Sequence, residues 1–544
     1  MLKTVDFIVI GAGSAGCVLA NRLSACGNFQ VLLLEAGGKD SNPFIHLPIG
    51  FSQAMGIPKL GWGYKTEPEP HLENRVINWP RGRVLGGCSS INGMVYVRGQ
   101  HEDFDDWEQL GNKGWSGADV LPWFKKSEDF EFGQTGFHGS GGELKISETH
   151  PDDRLEINSL YIKAAENAGL PFNKDYNGAQ QHGIAYTQFS INKGRRSSTS
   201  TAFLKPVLKQ RSNLTLLTHA MVERIELSGT TATGVTFIHQ EKRHTVNAHR
   251  EIILSAGTNN SPKILELSGI GRKEVLAQAG IKQKHELAGV GKNLIDHIQM
   301  EVTHEVKGIG SMNDSLKPHR LIAESLKYLT QRRGFLATGV ASIVGFIKSS
   351  ESESRPDLQL HFAPAGGETT DDGRVIPSKT PSITSVSNVM RPESRGYSHI
   401  VSSDPNQAPA IRANYLAEES DRRKSIECVR WQRRIFEQSP LNQFLGTERA
   451  PGKEVISDAD IFGYIRKEGK TAYHPVGTCK MGKDQSAVVD QTLNVHGIDQ
   501  LRVIDASIMP LIPSANTNAA TIMIAERGAQ WVLETAAGKV RKTA

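Results

Sequence analysis

Phe7-Ile8-Val9-Ile10 runs into Gly11-Ala12-Gly13-Ser14-Ala15-Gly16, a helical stretch follows from Cys17 to Leu23, and Gln30-Val31-Leu32-Leu33-Leu34 ends on Glu35. These 29 residues decide the fold. They read as a βαβ unit with a glycine fingerprint at the first turn and an acid at the tip of the second strand. Each part has its own task on a dinucleotide. Gly11 permits the tight turn, Gly13 lets the backbone approach a pyrophosphate, and Gly16 lets helix and strand pack closely. The helix N-terminus offers unpaired N–H groups and the positive end of its dipole to the phosphates. Glu35, 19 residues after Gly16, can accept hydrogen bonds from ribose hydroxyls, and its charge disfavours a 2′-phosphate. The unit by itself does not choose between NAD and FAD.

Working outward, the next segment from Gly37 to about Pro80 reads as a long irregular loop rich in Gly, Pro and aromatic residues. A loop of that length is expected to cover a ligand. It leads into Arg81-Gly82-Arg83-Val84-Leu85-Gly86-Gly87-Cys88-Ser89-Ser90-Ile91-Asn92-Gly93, where small residues suit backbone packed against a flat group. Residues 101–130 read as helical and partly buried. Strand-like alternation returns over residues 213–256, followed by Gly257-Thr258-Asn259-Asn260 and a helix over Lys263–Leu267, with Ser261 as its N-cap and Pro262 at its first position. Leu501-Arg502-Val503-Ile504 is again strand-like, and a last helix is expected from about Asn518 to Glu534.

The chain has 544 residues, 38% of them hydrophobic and 22% charged, with a net charge of +5. That is a globular composition in several domain-sized units. Lys and Arg are scattered, which argues against nucleic acid as a partner. The five cysteines, Cys17, Cys26, Cys88, Cys428 and Cys479, have no metal-type spacing and are expected to be buried free thiols. No metal site is expected. No secretory signal precedes the first strand and no apolar run approaches membrane-spanning length. The expected location is cytoplasmic, with peripheral contact to the inner face of a membrane left open.

Several ordered segments beyond the fingerprint carry a resemblance. Gly82 to Asn92, Gly257 to Gly271, Gly289-Val290-Gly291-Lys292-Asn293-Leu294-Ile295-Asp296-His297, Ala472-Tyr473-His474-Pro475-Val476-Gly477-Thr478 and Ser514-Ala515-Asn516-Thr517-Asn518 resemble the signatures of the glucose–methanol–choline (GMC) flavin oxidoreductases, over nearly the whole chain. The resemblance implies an α/β fold, α+β overall. A discontinuous Rossmann-like FAD-binding domain would occupy residues 1–155, 213–304 and 461–544. A substrate domain with an antiparallel sheet covered by helices would occupy 156–212 and 305–460.

The same resemblance implies FAD as cofactor and oxidation of a primary alcohol, with choline-type and alcohol dehydrogenases as the similar members. His474 is the implied base and Asn516 its partner across the substrate. The implied cofactor contacts are Gly11, Gly13, Ser14, Ala15, Gly16, Glu35, Ala36, Arg83, Gly87, Asn92, Gly93, Val222, Asp505, Ala506 and Asn518. Some choline-oxidising members attach the flavin through a histidine just before the signature asparagine. That position is Ile91 here, so non-covalent FAD is expected. The electron acceptor is expected to be a quinone or similar molecule, with an oxygen-using oxidase and a non-redox cyanohydrin-type lyase as the competing readings. Gly339 to Phe346 is expected to form an apolar wall of the substrate pocket, which favours a neutral alcohol, with choline left open.

Overall fold

Strand Thr4–Ile10 lies inside a seven-stranded sheet and pairs in parallel with Val31–Leu34 on one side and Lys242–Leu254 on the other. Ile8 faces Leu32 and Ile252 in that register. Such strands, buried on both faces, need continuous apolar runs, and Phe7 to Ile10 and Val31 to Leu34 supply them. Leu214–Leu217 extends the sheet beyond Val31–Leu34, and Leu501–Val503 adds in parallel to the end of Lys242–Leu254. The antiparallel strands Thr231–His239 and Ala220–Ser228 complete it. The computed structural model describes residues 3–370 and 375–538.

Helices Ser14–Ser24 and Thr517–Ala536 pack against each other, so the two ends of the chain meet over the fingerprint. The expected helix start at residue 17 moves to Ser14, because Gly13 is still extended and already occupies the N-cap position.

The second sheet is antiparallel, in the order Leu445–Ala450, Ile298–Val306, Ser382–Val389, Leu358–Ala363, Ile343–Ile347, Gly183–Tyr186, with Lys470–Thr471 added beside Ile298–Val306. Helix Glu419–Phe436 packs on one face. Period-two alternation sends Leu358, Leu360 and Phe362 into that core and leaves Gln359, His361 and Ala363 on the opposite face. Strand Ile298–Val306 straddles the expected 304/305 boundary, and Lys470–Thr471 joins this sheet although the resemblance implies the first domain from residue 461 onward.

Several local expectations change. The segment 37–80 is a string of short helical turns, Pro43–His46, Pro48–Gly50, Phe51–Met55, Pro58–Leu60 and Pro70–Leu72, with a small hairpin of Tyr64–Lys65 and Asn78–Trp79. Proline at the first position starts four of these turns, because its fixed φ suits a helix start where the missing N–H costs nothing. The helix expected over 263–267 begins at Gly257. Asp505 reaches across and accepts the Gly257 N–H at 2.8 Å, so Ser261 is an interior residue that donates to Asp505 at 2.6 Å. Pro262 therefore sits inside the helix, and the Thr258 carbonyl its ring leaves unpaired accepts the Thr478 hydroxyl instead. Cys26 is exposed and Cys88 half-buried; only Cys17, Cys428 and Cys479 are buried. Among the described residues, no helix is long and apolar enough to cross a membrane.

Candidate active site

A cavity of about 450 Å³ is walled by both sheets. At one end, the first sheet presents its glycine turns. A Cβ on Gly16 would overlap the Gly11 carbonyl oxygen, which fixes how closely helix and turn pack. Gly11 has φ +98°, and a Cβ there would meet Ser255 O at 2.7 Å. Gly87, at φ +53°, faces Gly13 so closely that its Cβ would lie 2.8 Å from the Gly13 Cα. The two glycine-rich segments thus meet backbone to backbone at the cavity wall. Three helix N-termini open on this wall, at Ser14–Ala15, Gly257–Asn260 and Thr517–Asn518. Their partial positive charge suits an anionic ligand. Asn518 Oδ1 accepts the Ser14 hydroxyl at 2.7 Å and ties two of them together.

Glu35 lies at the strand tip, its carboxylate accepting the Ala12 N–H at 2.8 Å and the Gly37 N–H at 2.7 Å. Burial pushes it up to about 7, against the opposing pull of those N–H groups and Arg83. Asp505 is likewise raised by burial and spends its oxygens on Gly257, Ser261 and Ser507.

At the other end the wall is made of side chains from distant segments. His474 and Asn516 meet there, with Asn516 Nδ2 3.0 Å from His474 Nε2. Asn516 occupies the N-cap position of the closing helix but caps nothing with its side chain. Its Oδ1 instead accepts from Gln359 Nε2 at 3.1 Å, which turns the amide N–H groups toward His474. His297 determines the proton on His474. Met390 O lies 2.8 Å from His297 Nε2, so that nitrogen carries the hydrogen and His297 Nδ1 is an acceptor. His474 Nδ1, 3.0 Å away, must then be the donor, leaving a lone pair on His474 Nε2. Burial holds His474 well below the usual imidazole range, with further lowering from His297, His361 and Arg81. Burial also lowers His297 and His361, each to about 4.

The backbone that presents His474 is strained and held from several sides. Tyr473 has φ +66°, a region that non-glycine residues seldom adopt. Asp296 accepts the His474 N–H at 2.7 Å and the Thr471 hydroxyl at 2.6 Å, and also the Tyr415 hydroxyl. Arg81 donates to Tyr473 O at 3.0 Å, and Thr471 Oγ1 accepts the Tyr473 N–H at 2.8 Å. Strain of this kind persists where surrounding contacts over-determine it.

Of the residues the sequence singled out, Gly11, Gly13, Ser14, Ala15, Glu35, Ala36, Gly87, Asn92, Gly93, Val222, Asp505, Ala506, Asn518, His474 and Asn516 line the cavity. Two do not. Gly16 sits behind the turn it packs against, and the Arg83 guanidinium lies over the Trp62 ring, 4.9 Å from its centroid, rather than on the wall. Of the expected apolar wall, only Val340 and Ala341 line the cavity; Val344 and Phe346 turn into a separate buried cluster with Tyr176 and Val97. Sequence reading gave no role to Asp296, His297, Gln299, Gln359, His361 or Arg81. Polar residues at alternate positions of the otherwise apolar strand Leu358–Ala363 were the available signal for Gln359 and His361.

The wall fits a flat dinucleotide. A Cβ added at Gly93 or Gly257 would meet no atom within 4 Å, so backbone is bare at the cavity there. Both amide atoms of buried Asn259, a lining residue, lack a protein partner. Comparison with known proteins agrees. Models of the GMC oxidoreductase family match residues 5–299 and 392–525. The oxygen-dependent choline dehydrogenase of Photobacterium profundum is 41% identical, across 98% of this chain and 94% of that protein. The alcohol dehydrogenase [acceptor] of Pseudomonas putida is 40% identical, across 97% and 95%. Among solved structures, formate oxidase superposes with a TM-score of 0.91 at 27% identity, covering 99% of this chain and 100% of that one. Pyridoxine 4-oxidase from Mesorbium loti gives a TM-score of 0.87 at 29% identity, covering 96% and 98%. The chain belongs to the GMC oxidoreductase family, and its cofactor is FAD.

Proposed function

We propose that this protein is an FAD-dependent dehydrogenase that oxidises a neutral primary alcohol to the aldehyde. The observation that carries the reading is the orientation of His474: its Nδ1 proton is committed to His297, so its Nε2 lone pair faces Asn516 in the cavity. When bound, FAD supplies the acceptor for the hydride that leaves the alcohol carbon. The chain's residues handle the rest. His474 Nε2 takes the hydroxyl proton, and its lowered basicity keeps it neutral and ready at pH 7. Asn516 carries two amide hydrogens and can give one to the alcohol oxygen as negative charge builds there. The N-terminus of helix Thr517–Ala536 adds its positive end beside them.

The lining around His474 supports a neutral substrate. Gln299, His361, Asn388, Asn516, Val340, Ala341, Ala363 and Val386 hold no carboxylate; the lining acids among the described residues are Glu35 and Asp505, at the glycine-turn end. A quaternary ammonium would be met there by no counter-charge. The aliphatic Ile91 on the wall supports non-covalent FAD. We assign residues 1–155, 213 to about 297 and 472–544 to the FAD-binding domain and the rest to the substrate domain.

Anaerobic mixing of the holoenzyme with a panel of alcohols tests the reading. Bleaching of the flavin by neutral primary alcohols, and much slower bleaching by choline at equal concentration, is expected. Bleaching by choline alone would overturn the substrate class, and no bleaching by any alcohol would favour a non-redox lyase. Slow reoxidation in air with rapid reoxidation by a soluble quinone is expected; rapid peroxide formation would instead mark an oxidase.

A further inference from the structure

Helix Pro318–Gln331 carries its apolar residues on the wrong side for folding. Tyr328 is buried, Lys327 pairs with Asp153 at 2.6 Å, and Glu324 accepts the Phe335 N–H at 2.8 Å; these contacts fix the inward face. At 100° per residue, Ile322, Leu326 and Leu329 fall on the opposite face, and they are 64%, 59% and 68% exposed. Leu316 and Leu321 are exposed beside them. A ridge of three neighbouring large aliphatic side chains in solvent calls for a partner.

The charges around the ridge select the partner. Arg332 ends the helix beside the ridge and is exposed, whereas Arg320, exposed in the first turn, falls at 100° per residue on the face opposite the ridge. The tip of the hairpin Ile191–Asn192/Arg195–Arg196 abuts Arg332: a Cβ on Gly194 would overlap the Arg332 carbonyl. That contact brings the exposed Lys193 and Arg195 to the same end. Nearby acids are already committed, Asp314 to Lys317, and Asp152 and Asp153 to Arg333. Three side chains fall far short of the roughly 800 Å² per partner that a stable pairing of two copies needs. An anionic lipid surface neutralises the cations gathered at this end and takes the aliphatic ridge into its acyl boundary.

We propose that helix Pro318–Gln331 docks this protein onto an anionic lipid bilayer, lying in the plane of the interface. The site's entrance follows from the connectivity. After the helix, the turn Phe335–Ala337 leads within four residues to Val340 and Ala341 on the cavity wall. The same turn packs against Pro48–Gly50, which precedes the lining residues Phe51 and Met55. Docking therefore sets the rim of the cavity beside the lipid, where an apolar alcohol or a lipid-soluble quinone is concentrated. The inference does not depend on which alcohol is oxidised.

Co-sedimentation of the holoenzyme with vesicles decides it, using phosphatidylcholine alone and phosphatidylcholine mixed with phosphatidylglycerol, at low and high salt. Binding to the mixed vesicles that weakens with salt is expected. The double variant Ile322→Asp/Leu329→Asp should partition about tenfold or more weakly. Arg332→Gln should weaken binding about fivefold, and Arg320→Gln, on the opposite face, should leave it nearly unchanged. All three variants should keep wild-type turnover with a soluble acceptor dye, which shows that they fold. Wild-type protein left in the supernatant with mixed vesicles would overturn the proposal. So would vesicle binding that the double variant leaves unchanged, or light scattering that shows a dimer which the double variant splits.

Discussion

The two ends of the cavity are held by different kinds of atoms. At the glycine-turn end, backbone does the holding: Gly13 and Gly87 stand face to face, and three helix N-termini open on one wall. At the His474 end, side chains do it, from Asp296, His297, Gln359 and Asn516, on strands and turns far apart in sequence. The first arrangement suits a phosphate-bearing group through shape and dipole. The second orients one lone pair. The difference teaches that damage at the two ends should separate cofactor retention from chemistry.

His474→Ala should give the largest effect, a fall in kcat of about 10²–10⁴-fold with FAD content unchanged, read by turnover and by flavin absorbance on the same sample. Loss of FAD in this variant would break the division between the ends. Asn516→Ala follows, with a fall of about 10²-fold in kcat and again full FAD content, since it removes one donor to the developing alkoxide. Gly87→Ala is the mirror experiment. Its Cβ collides with Gly13 in a left-handed backbone, so the variant should lose about 1–3 kcal/mol of stability and release FAD on dilution, while the fraction still loaded turns over normally. Thermal melts and gel filtration with flavin detection check it.

The smallest effects concern pH. Because burial holds His474 below the usual imidazole range, the acid limb of kcat/KM should have its midpoint below pH 6.5. His361, lowered to about 4, is kept neutral by the folded state, so its contribution to stability is present above the unfolded value near 6.5 and is lost as pH falls toward 4. Replacing it removes that loss. The Tm of His361→Leu relative to wild type should therefore rise between pH 7 and pH 5, and a constant difference would contradict the assignment.

Much of the first end was legible because its determinants are contiguous. Gly11 to Glu35 states a turn, a helix start and an acid in one local run, and the steric reasons for Gly11 and Gly16 hold in the structure. The helix start at Gly257 was not legible, since its N–H is taken by Asp505, nearly 250 residues away. The second end was legible only where a motif marked it, at His474 and Asn516. His297 stood in a recognised segment, yet its task depends on the Met390 carbonyl, a partner that no local pattern reveals. Gln299, Gln359 and His361 face the cavity side because of strand register, and register across an antiparallel sheet is a long-range property. The sheet that Ile298–Val306 joins was not legible for the same reason: it reads as a strand from either side, and its partners decide where it belongs.

The central claim is that His474, kept neutral by burial and oriented by its hydrogen bond to His297, removes the alcohol proton. Rapid anaerobic mixing of wild type and His474→Ala with the best neutral alcohol, monitored by flavin absorbance, tests it most directly. The account predicts rapid bleaching in wild type and bleaching slowed about 10²–10⁴-fold in the variant, with the same flavin content at the start. Equal bleaching rates in the two proteins would contradict it.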